Sequence, residues 1–305
     1  MSHDQLMKDL PRTFFADILA LFLPAIASRI DTANITFLDP QTFLDIPRGQ
    51  SRTADLVARV EPLMGIPPAL SIHVEVQSQS DSTLPDRMWT YNASLINRTD
   101  QPTISMVIWP FATNWRGRRV AGQVARLVRH TWTLLDQEYV RLDYWCLGLR
   151  DLDAESYAAG DSLIGVALAA LMRPGLAGKV GLKLTIMERL GAARIDEARR
   201  ELLINCVQTY LTLNAVEQEE YMRRARTERG GAAEATEMTW ADRIRAQERL
   251  QVRRSDVARF ARSRFGTLPD DVEARLATLD ANSIDQLIDR VGQVPTLNEF
   301  IAELP

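Results

Sequence analysis

The segment LSIHVEVQ, residues 70–77, constrains the fold more than any other part of the chain. Leu70, Ile72, Val74 and Val76 alternate with Ser71, His73, Glu75 and Gln77. Side chains of a β-strand point alternately to opposite faces, so this spacing predicts a strand with one apolar and one polar face. A second strand is expected just before it. In SRTADLVARV (51–60), Leu56, Ala58 and Val60 alternate with Asp55, Val57 and Arg59. The connection EPLMGIPP (61–68) is short and rich in proline, which favours an antiparallel hairpin. TISMVIWPF (103–111) is apolar almost throughout and predicts a strand covered on both faces.

Helical spacing surrounds these strands. RTFFADILALFLPAIASRI (12–30) repeats apolar residues at intervals of three and four, with Pro24 kinking or dividing the helix. NITFLDPQTFLDIPRGQ (34–50) reads as a short extended piece, a turn at Asp39-Pro40 and a loop. PDRMWTYNASLIN (85–97) predicts a helix that starts at Pro85. RRVAGQVARLVRHTWTLLDQ (118–137) reads as a helix or broken helix, with an extended run after Gln123 as the alternative. LDYWCLGL (142–149) is expected to be a buried strand or strand pair. The whole predicts an α/β or α+β sheet flanked by helices over residues 1–155.

Beyond about residue 155 the spacing is helical and no strand is evident. A helical extension is expected at 156–228 and a small helical C-terminal domain at 240–305. RGGAAEATE (229–237) reads as a flexible break between them. The Arg-rich stretch 240–266 ends at Gly266, a suitable C-terminal cap.

Composition excludes several chemistries. With 46% hydrophobic and 25% charged residues the chain is an ordinary globular one. Cys146 and Cys206 are far apart and form no CxxC, so a structural zinc or a disulfide framework is not expected. The three histidines form no HExxH, and no glycine-rich phosphate loop is present. The N-terminal residues do not read as a secretory leader, and no apolar run reaches about 18 residues. A cytoplasmic protein without a membrane partner is therefore the expectation. A formal charge of −4 argues against a polyanion partner. That average hides an uneven distribution: residues 222–265 hold twelve Arg against six acids. Such a stretch suits either a phosphate backbone or a solvated face laced with ion pairs.

Asp55 on one expected strand, with Glu75 and Gln77 sharing a face of the next, makes a constellation with two readings. One is a polar strand face in water, with His73 a surface residue of it. The other is a site in which carboxylates face a divalent cation, since a buried carboxylate needs a counter-charge. Asp17, inside the apolar run of the first helix, reads as part of a solvated strip between two apolar stripes.

Resemblance to a known family bears on that choice. FFADILALFLP, FLDPQTFLDIP, ADLVARV, HVEVQSQ, RMWTY and ISMVIWPF occur in an order and spacing similar to the recombination-promoting nuclease (YhgA-like transposase) family. That family is a branch of the PD-(D/E)XK nuclease superfamily, and the likeness extends over roughly the first 150 residues. ARSRFGTLPDDVEARL, in the tail, resembles a small domain of unknown function often appended to such nucleases. The resemblance implies a restriction-endonuclease-like core, a Mg²⁺- or Mn²⁺-dependent DNA endonuclease, and an association with DNA recombination. It puts Asp55, Glu75 and the backbone carbonyl of Val76 at metal-ligand positions. Gln77 falls where the superfamily has a catalytic Lys, and it can orient water only through its amide. Asp17 falls where many members carry an acidic residue on the first helix.

Arg87 and Tyr91 match an Arg-x3-Tyr of the family and lie on one helix face. Arg87 is expected either to pair with Glu75, to contact a phosphate, or to join Tyr91 in packing the helix on the sheet. Arg116, Arg118 and Arg119 of WRGRR are candidate nucleic-acid contacts. The alternative function is an inactive nuclease fold used for DNA binding or protein interaction, with self-association left open. Three spaced ligands for strand transfer are not readable, so a transposase activity has no support in the residues themselves.

Overall fold

The computed structural model describes residues 3–38, 56–63, 69–79, 81–111, 117–228, 231–291 and 293–304. Two compact units divide the chain, Met1–Thr236 and Glu237–Pro305.

The first unit is built on a six-stranded mixed sheet. Helices α1 (His3–Thr13), α2 (Phe15–Phe22) and α3 (Pro24–Ala27) precede it, the last two separated at Leu23-Pro24. The strands are β1 (Thr36–Leu38), β2 (Leu56–Val60) and β3 (Leu70–Val76), then, after helix α4 (Leu84–Thr99), β4 (Thr103–Trp109), β5 (Arg126–Leu134) and β6 (Gln137–Gly148). Their order is β1-β2-β3-β4-β6-β5. The expected β2–β3 hairpin is antiparallel, with Leu56 opposite Val74 and Val57 opposite His73. β3, β4 and β6 are mutually parallel, and β5 runs antiparallel to β6 at the edge.

α4 is the crossover between the parallel strands β3 and β4. It ends at Asp100, whose left-handed backbone (φ 53°) reverses the chain while its N–H donates to Ile96 O. The helix covers the sheet face formed by the odd-numbered residues of β3 and β4. Leu84 and Met88 pack there with Val107, Trp109, Leu142, Tyr144 and Cys146, and Leu95 packs with Val57. The even-numbered residues Ile72, Val74 and Met106 are equally buried on the opposite face. α1 reaches β2 and β3.

Two choices between readings are decided here. The polar face of β3 is not solvated: Ser71 and His73 are fully buried and Glu75 is 5% exposed. Alternation within one strand reports which residues share a face, and the α4 crossover decides that this face is covered. Residues 126–134 are a strand, so the extended alternative after Gln123 holds and the helical reading does not. β5 and β6 meet at Leu135-Asp136, both with positive φ (49° and 60°). A two-residue hairpin loop takes this conformation, but Leu-Asp lacks the Asn-Gly or Asp-Gly signature that announces it. β5 itself carries Val128, Thr131, Trp132 and Thr133, the β-branched and aromatic residues that suit a pleated surface.

A helical layer completes the first unit: α5 (Ala154–Ala158), α6 (Leu163–Leu168), α7 (Gly178–Ala192), α8 (Glu197–Tyr210) and α9 (Ala215–Thr227). Side chains cap four of them, Asp153, Ser162, Asp196 and Asn214, the last in a reciprocal capping box with Glu217. Helix α10 (Ala232–Phe265) contains the boundary between the units, so residues 232–237 are helical and not the flexible break expected there. α11 (Asp270–Thr278), α12 (Ala281–Val291) and α13 (Leu297–Ala302) follow. Gly266 terminates α10 as expected, with φ +86° and its N–H on Arg262 O. The second unit has its own core, in which Phe300 packs among Val257, Ala261, Leu268, Val272, Leu276, Ile284 and Leu287. No helix among the described residues is long and apolar enough to cross a membrane.

Candidate functional site

Glu75 stands on β3 between β2 and β4, one residue before the strand ends. Its parity turns it under α4 together with Ser71 and His73. A carboxylate in this position loses water and needs a partner. Arg87, one turn into α4, supplies it: Nη2 donates to Glu75 Oε1 at 2.6 Å. The same Nη2 donates to Gln77 Oε1 at 3.0 Å, and Nη1 donates to Asp81 Oδ2 at 2.8 Å. One guanidinium therefore joins the end of β3, the loop after it and the start of α4.

The loop is itself anchored. Asp81 Oδ1 accepts from the backbone N–H and the hydroxyl of Thr83, which sets the turn into α4. Gln77 extends the ladder by donating its backbone N–H to Ile108 O. Its side-chain amide donates to Gln79 O at 2.9 Å. Ser78 Oγ lies 2.9 Å from Nε2 of His3, whose Nδ1 lies 2.7 Å from the Tyr210 hydroxyl. The motif loop is thus tied to α1 and α8, elements distant in sequence.

The interior side of Glu75 is different. Its Oε2 is buried and has no hydrogen-bond partner among the described residues. Nε2 of His73 lies 3.7 Å away, beyond hydrogen-bonding distance. Both ring nitrogens of His73 also lack a hydrogen-bond partner there. The imidazole instead meets the Tyr91 ring edge-on, with centroids 5.3 Å apart. Deeper along the same face, Asn92 donates to Thr103 O at 3.0 Å and Ser105 Oγ at 3.1 Å. The polar groups under α4 thus form a satisfied end at Asn92 and an incompletely satisfied end at His73 and Glu75.

Glu75, Gln77 and Arg87 come together, and Tyr91 packs against their neighbour His73. Arg87 pairs with Glu75, and Arg87 and Tyr91 also pack the helix on the sheet, so two of the three roles weighed for them coexist. Val76 is half-buried beside Glu75. Asp55 and Arg116 lie outside the described residues. Asp17 is exposed on α2 and lines a different cavity, of about 540 Å³, with Asp161, Ile195 and Arg199. None of the Glu75 network borders that cavity. Among the described residues no three His, Cys, Asp or Glu side chains group as a metal cluster would. Arg118 and Arg119 are exposed.

His73 reads from sequence as a surface strand residue more readily than as a general base, and its complete burial corrects the surface reading. Asp81 and Asn92 are further members not singled out from sequence. Asp81 had a legible signal, an acidic residue just before a Pro-led helix. Asn92, inside a helix, had none.

Most arginines of 222–265 are engaged within the protein. Arg224 pairs with Glu220 and Glu228, Arg226 with Glu234, Arg245 with Asp242, Arg259 with Asp256 and Arg262 with Glu273. Arg253 pairs with Asp285, and Arg254 caps Leu279 O. This matches a solvated, ion-paired face more closely than a bare phosphate-binding stripe.

Comparison of the chain with protein-family models, with curated proteins and with solved structures yields no match.

Proposed function

We propose that the chain is a metal-dependent DNA endonuclease of the PD-(D/E)XK type, from the recombination-promoting nuclease branch. The observation that carries this reading is Glu75. It is a buried carboxylate near the end of β3, with Oε1 fixed by Arg87 and Oε2 lacking a hydrogen bond among the described residues. An orphan carboxylate oxygen in low dielectric suits a cation, and this supports Mg²⁺ or Mn²⁺ as the ion. Asp55, Glu75 and the carbonyl of Val76 would hold the ion. When bound, it supplies charge to a phosphodiester and lowers the pKa of a water.

The protein's own contribution is positional. Arg87 fixes the rotamer of Glu75 and restrains Gln77, so these groups stay placed without reorganisation. Gln77 keeps one amide N–H and one oxygen lone pair beyond its hydrogen bonds to Gln79 O and Arg87, through which it would orient a water. Covalently closed plasmid incubated with Mg²⁺ or Mn²⁺ tests the reading. Glu75→Gln and Asp55→Asn are each expected to lower nicking at least about 100-fold, the scale of losing a transition-state contact. Metal-dependent nicking that persists in the double variant overturns it.

A second reading is favoured by the same guanidinium. Arg87 already supplies a cation to Glu75 and Gln77, as an inactive nuclease fold retained for DNA binding or assembly would allow. That reading expects no cleavage and no Mg²⁺-induced rise in melting temperature. A rise that disappears in Asp55→Asn counts against it.

A further inference from the structure

We infer a second, separate catalytic centre in the first unit: a site at which Ser78 attacks the ester of an apolar carboxylic acid, with His3 as its base. A serine hydroxyl is a weak nucleophile. It acts when a base within hydrogen-bond reach takes its proton and a third group orients that base. All three parts are present. Ser78 Oγ lies 2.9 Å from His3 Nε2, and His3 Nδ1 lies 2.7 Å from the Tyr210 hydroxyl. They come from the loop after β3, the first residue of α1 and the last residue of α8. α1 packs on α8, so the base and its orienting group rest on helices rather than on a loop. Asp55, Glu75 and Val76 take no part in the step, and the inference stands apart from the nuclease reading.

The partners set the protonation. Burial raises the pKa of the Tyr210 hydroxyl, which stays a neutral phenol. Its oxygen can accept the Nδ1 proton, and the tautomer so fixed turns the Nε2 lone pair toward the Ser78 hydroxyl. Ser78 is exposed and therefore open to a substrate. The N–H of Gln79, next along the chain, donates to no carbonyl among the described residues. The N–H of the residue after a nucleophile is a common donor to the oxyanion of acyl transfer. Phe111 selects the acyl group. It stacks on the His3 ring with centroids 5.6 Å apart, and it remains 38% exposed. The Tyr210 ring lies 5.8 Å from it, so the base sits beside an aromatic surface suited to an apolar chain.

The reaction balances with water alone. Ser78 Oγ bonds to the carbonyl carbon while its proton passes to His3 Nε2. The tetrahedral intermediate collapses, the bond to the leaving oxygen breaks, and the alcohol departs with that proton. Water then gives a proton to the same nitrogen and attacks the acyl-serine, which releases the carboxylic acid and restores the Ser78 hydroxyl. A neutral phenol offers no counter-charge to the imidazolium, so the turnover expected is slow beside that of a triad with a carboxylate.

An alkyl fluorophosphonate added to the full chain tests the site. The reagent loses fluoride to an activated serine and leaves a phosphonyl group on its oxygen. Peptide mass analysis should find Ser78 labelled at least about 100-fold faster than Ser82, an exposed serine four residues on. His3→Gln should slow the labelling of Ser78 at least about 100-fold, the scale of a lost general base. Tyr210→Phe should lower the rate at saturating reagent about tenfold and leave the half-saturating concentration unchanged, as a positioning residue would. With p-nitrophenyl butyrate, the wild type should release p-nitrophenol and Ser78→Ala should not exceed solvent hydrolysis. Melting temperatures show which variants fold, and Ser78→Ala, a small change at an exposed position, keeps the test open if His3→Gln does not. The inference is overturned if Ser78 labels no faster than Ser82, if folded His3→Gln labels as the wild type does, or if Ser78→Ala releases p-nitrophenol as fast as the wild type.

Discussion

The sheet face under α4 and the surface of the Glu237–Pro305 unit carry the same chemical groups in opposite circumstances. Beneath α4, the Arg87 and Glu75 side chains are 18% and 7% exposed. On α10, Arg259 and Asp256 make a contact of similar length, 2.8 Å, at 80% and 52% exposure. The buried pair has surrendered its water and depends on its partner; the exposed pair gives up little if it is broken. Length alone does not distinguish a contact that organises a site from one that decorates a surface.

The largest expected effect is therefore at Arg87. Arg87→Ala strands the Glu75 carboxylate under α4 and should cost about 3–5 kcal/mol in urea denaturation. Replacing both groups, Arg87→Met with Glu75→Leu, should cost much less than the two single changes summed. Additivity of the two would sink the idea of a desolvated, mutually dependent pair. Next comes Asn92, whose amide serves Thr103 O and Ser105. Asn92→Leu should lose about 1–3 kcal/mol by the same measurement, because two buried acceptors lose their donor.

Asp143 sits between the two extremes. It accepts from Arg129 and Arg141 on the β5–β6 hairpin, and those hydrogen bonds lower its pKa from 3.8 to about 2. A carboxylate with a depressed folded pKa contributes stability above its unfolded value. As pH falls below 3.8 the unfolded chain takes up the proton first, so this contribution declines and is gone below about 2. Melting temperatures followed across that window should fall less steeply in Asp143→Asn than in the wild type. The smallest effect is expected at Arg259→Ala, within about 0.5 kcal/mol and shrinking further as salt is added. A loss above about 1 kcal/mol there would erase the contrast between the two regions.

Much of the fold was legible from period and punctuation. The alternation of 70–76 marked β3, the continuous apolar run of 103–109 marked β4, Pro85 marked the start of α4, and Gly266 marked the end of α10. β5 was legible only as an alternative to a helix, because Leu135-Asp136 adopts positive φ without the residues that usually advertise a hairpin. Strand parity put Glu75 and Gln77 on one face, the resemblance gave them roles and pointed to Arg87, and spacing placed Arg87 on the same helix face as Tyr91. The anchoring of Ser78 by His3, itself beside Tyr210, could not be read, since it joins residues 75 and 207 positions apart.

What the sequence determined by itself is which side chains share a face. A two-residue strand repeat and a 3.6-residue helix repeat are local properties of the backbone. Whether a polar face meets water or another element is not local. Ser71, His73 and Glu75 read identically for a solvated strand and for a covered one. Only the α4 crossover between two parallel strands closed over them and turned a polar stripe into a buried charged site.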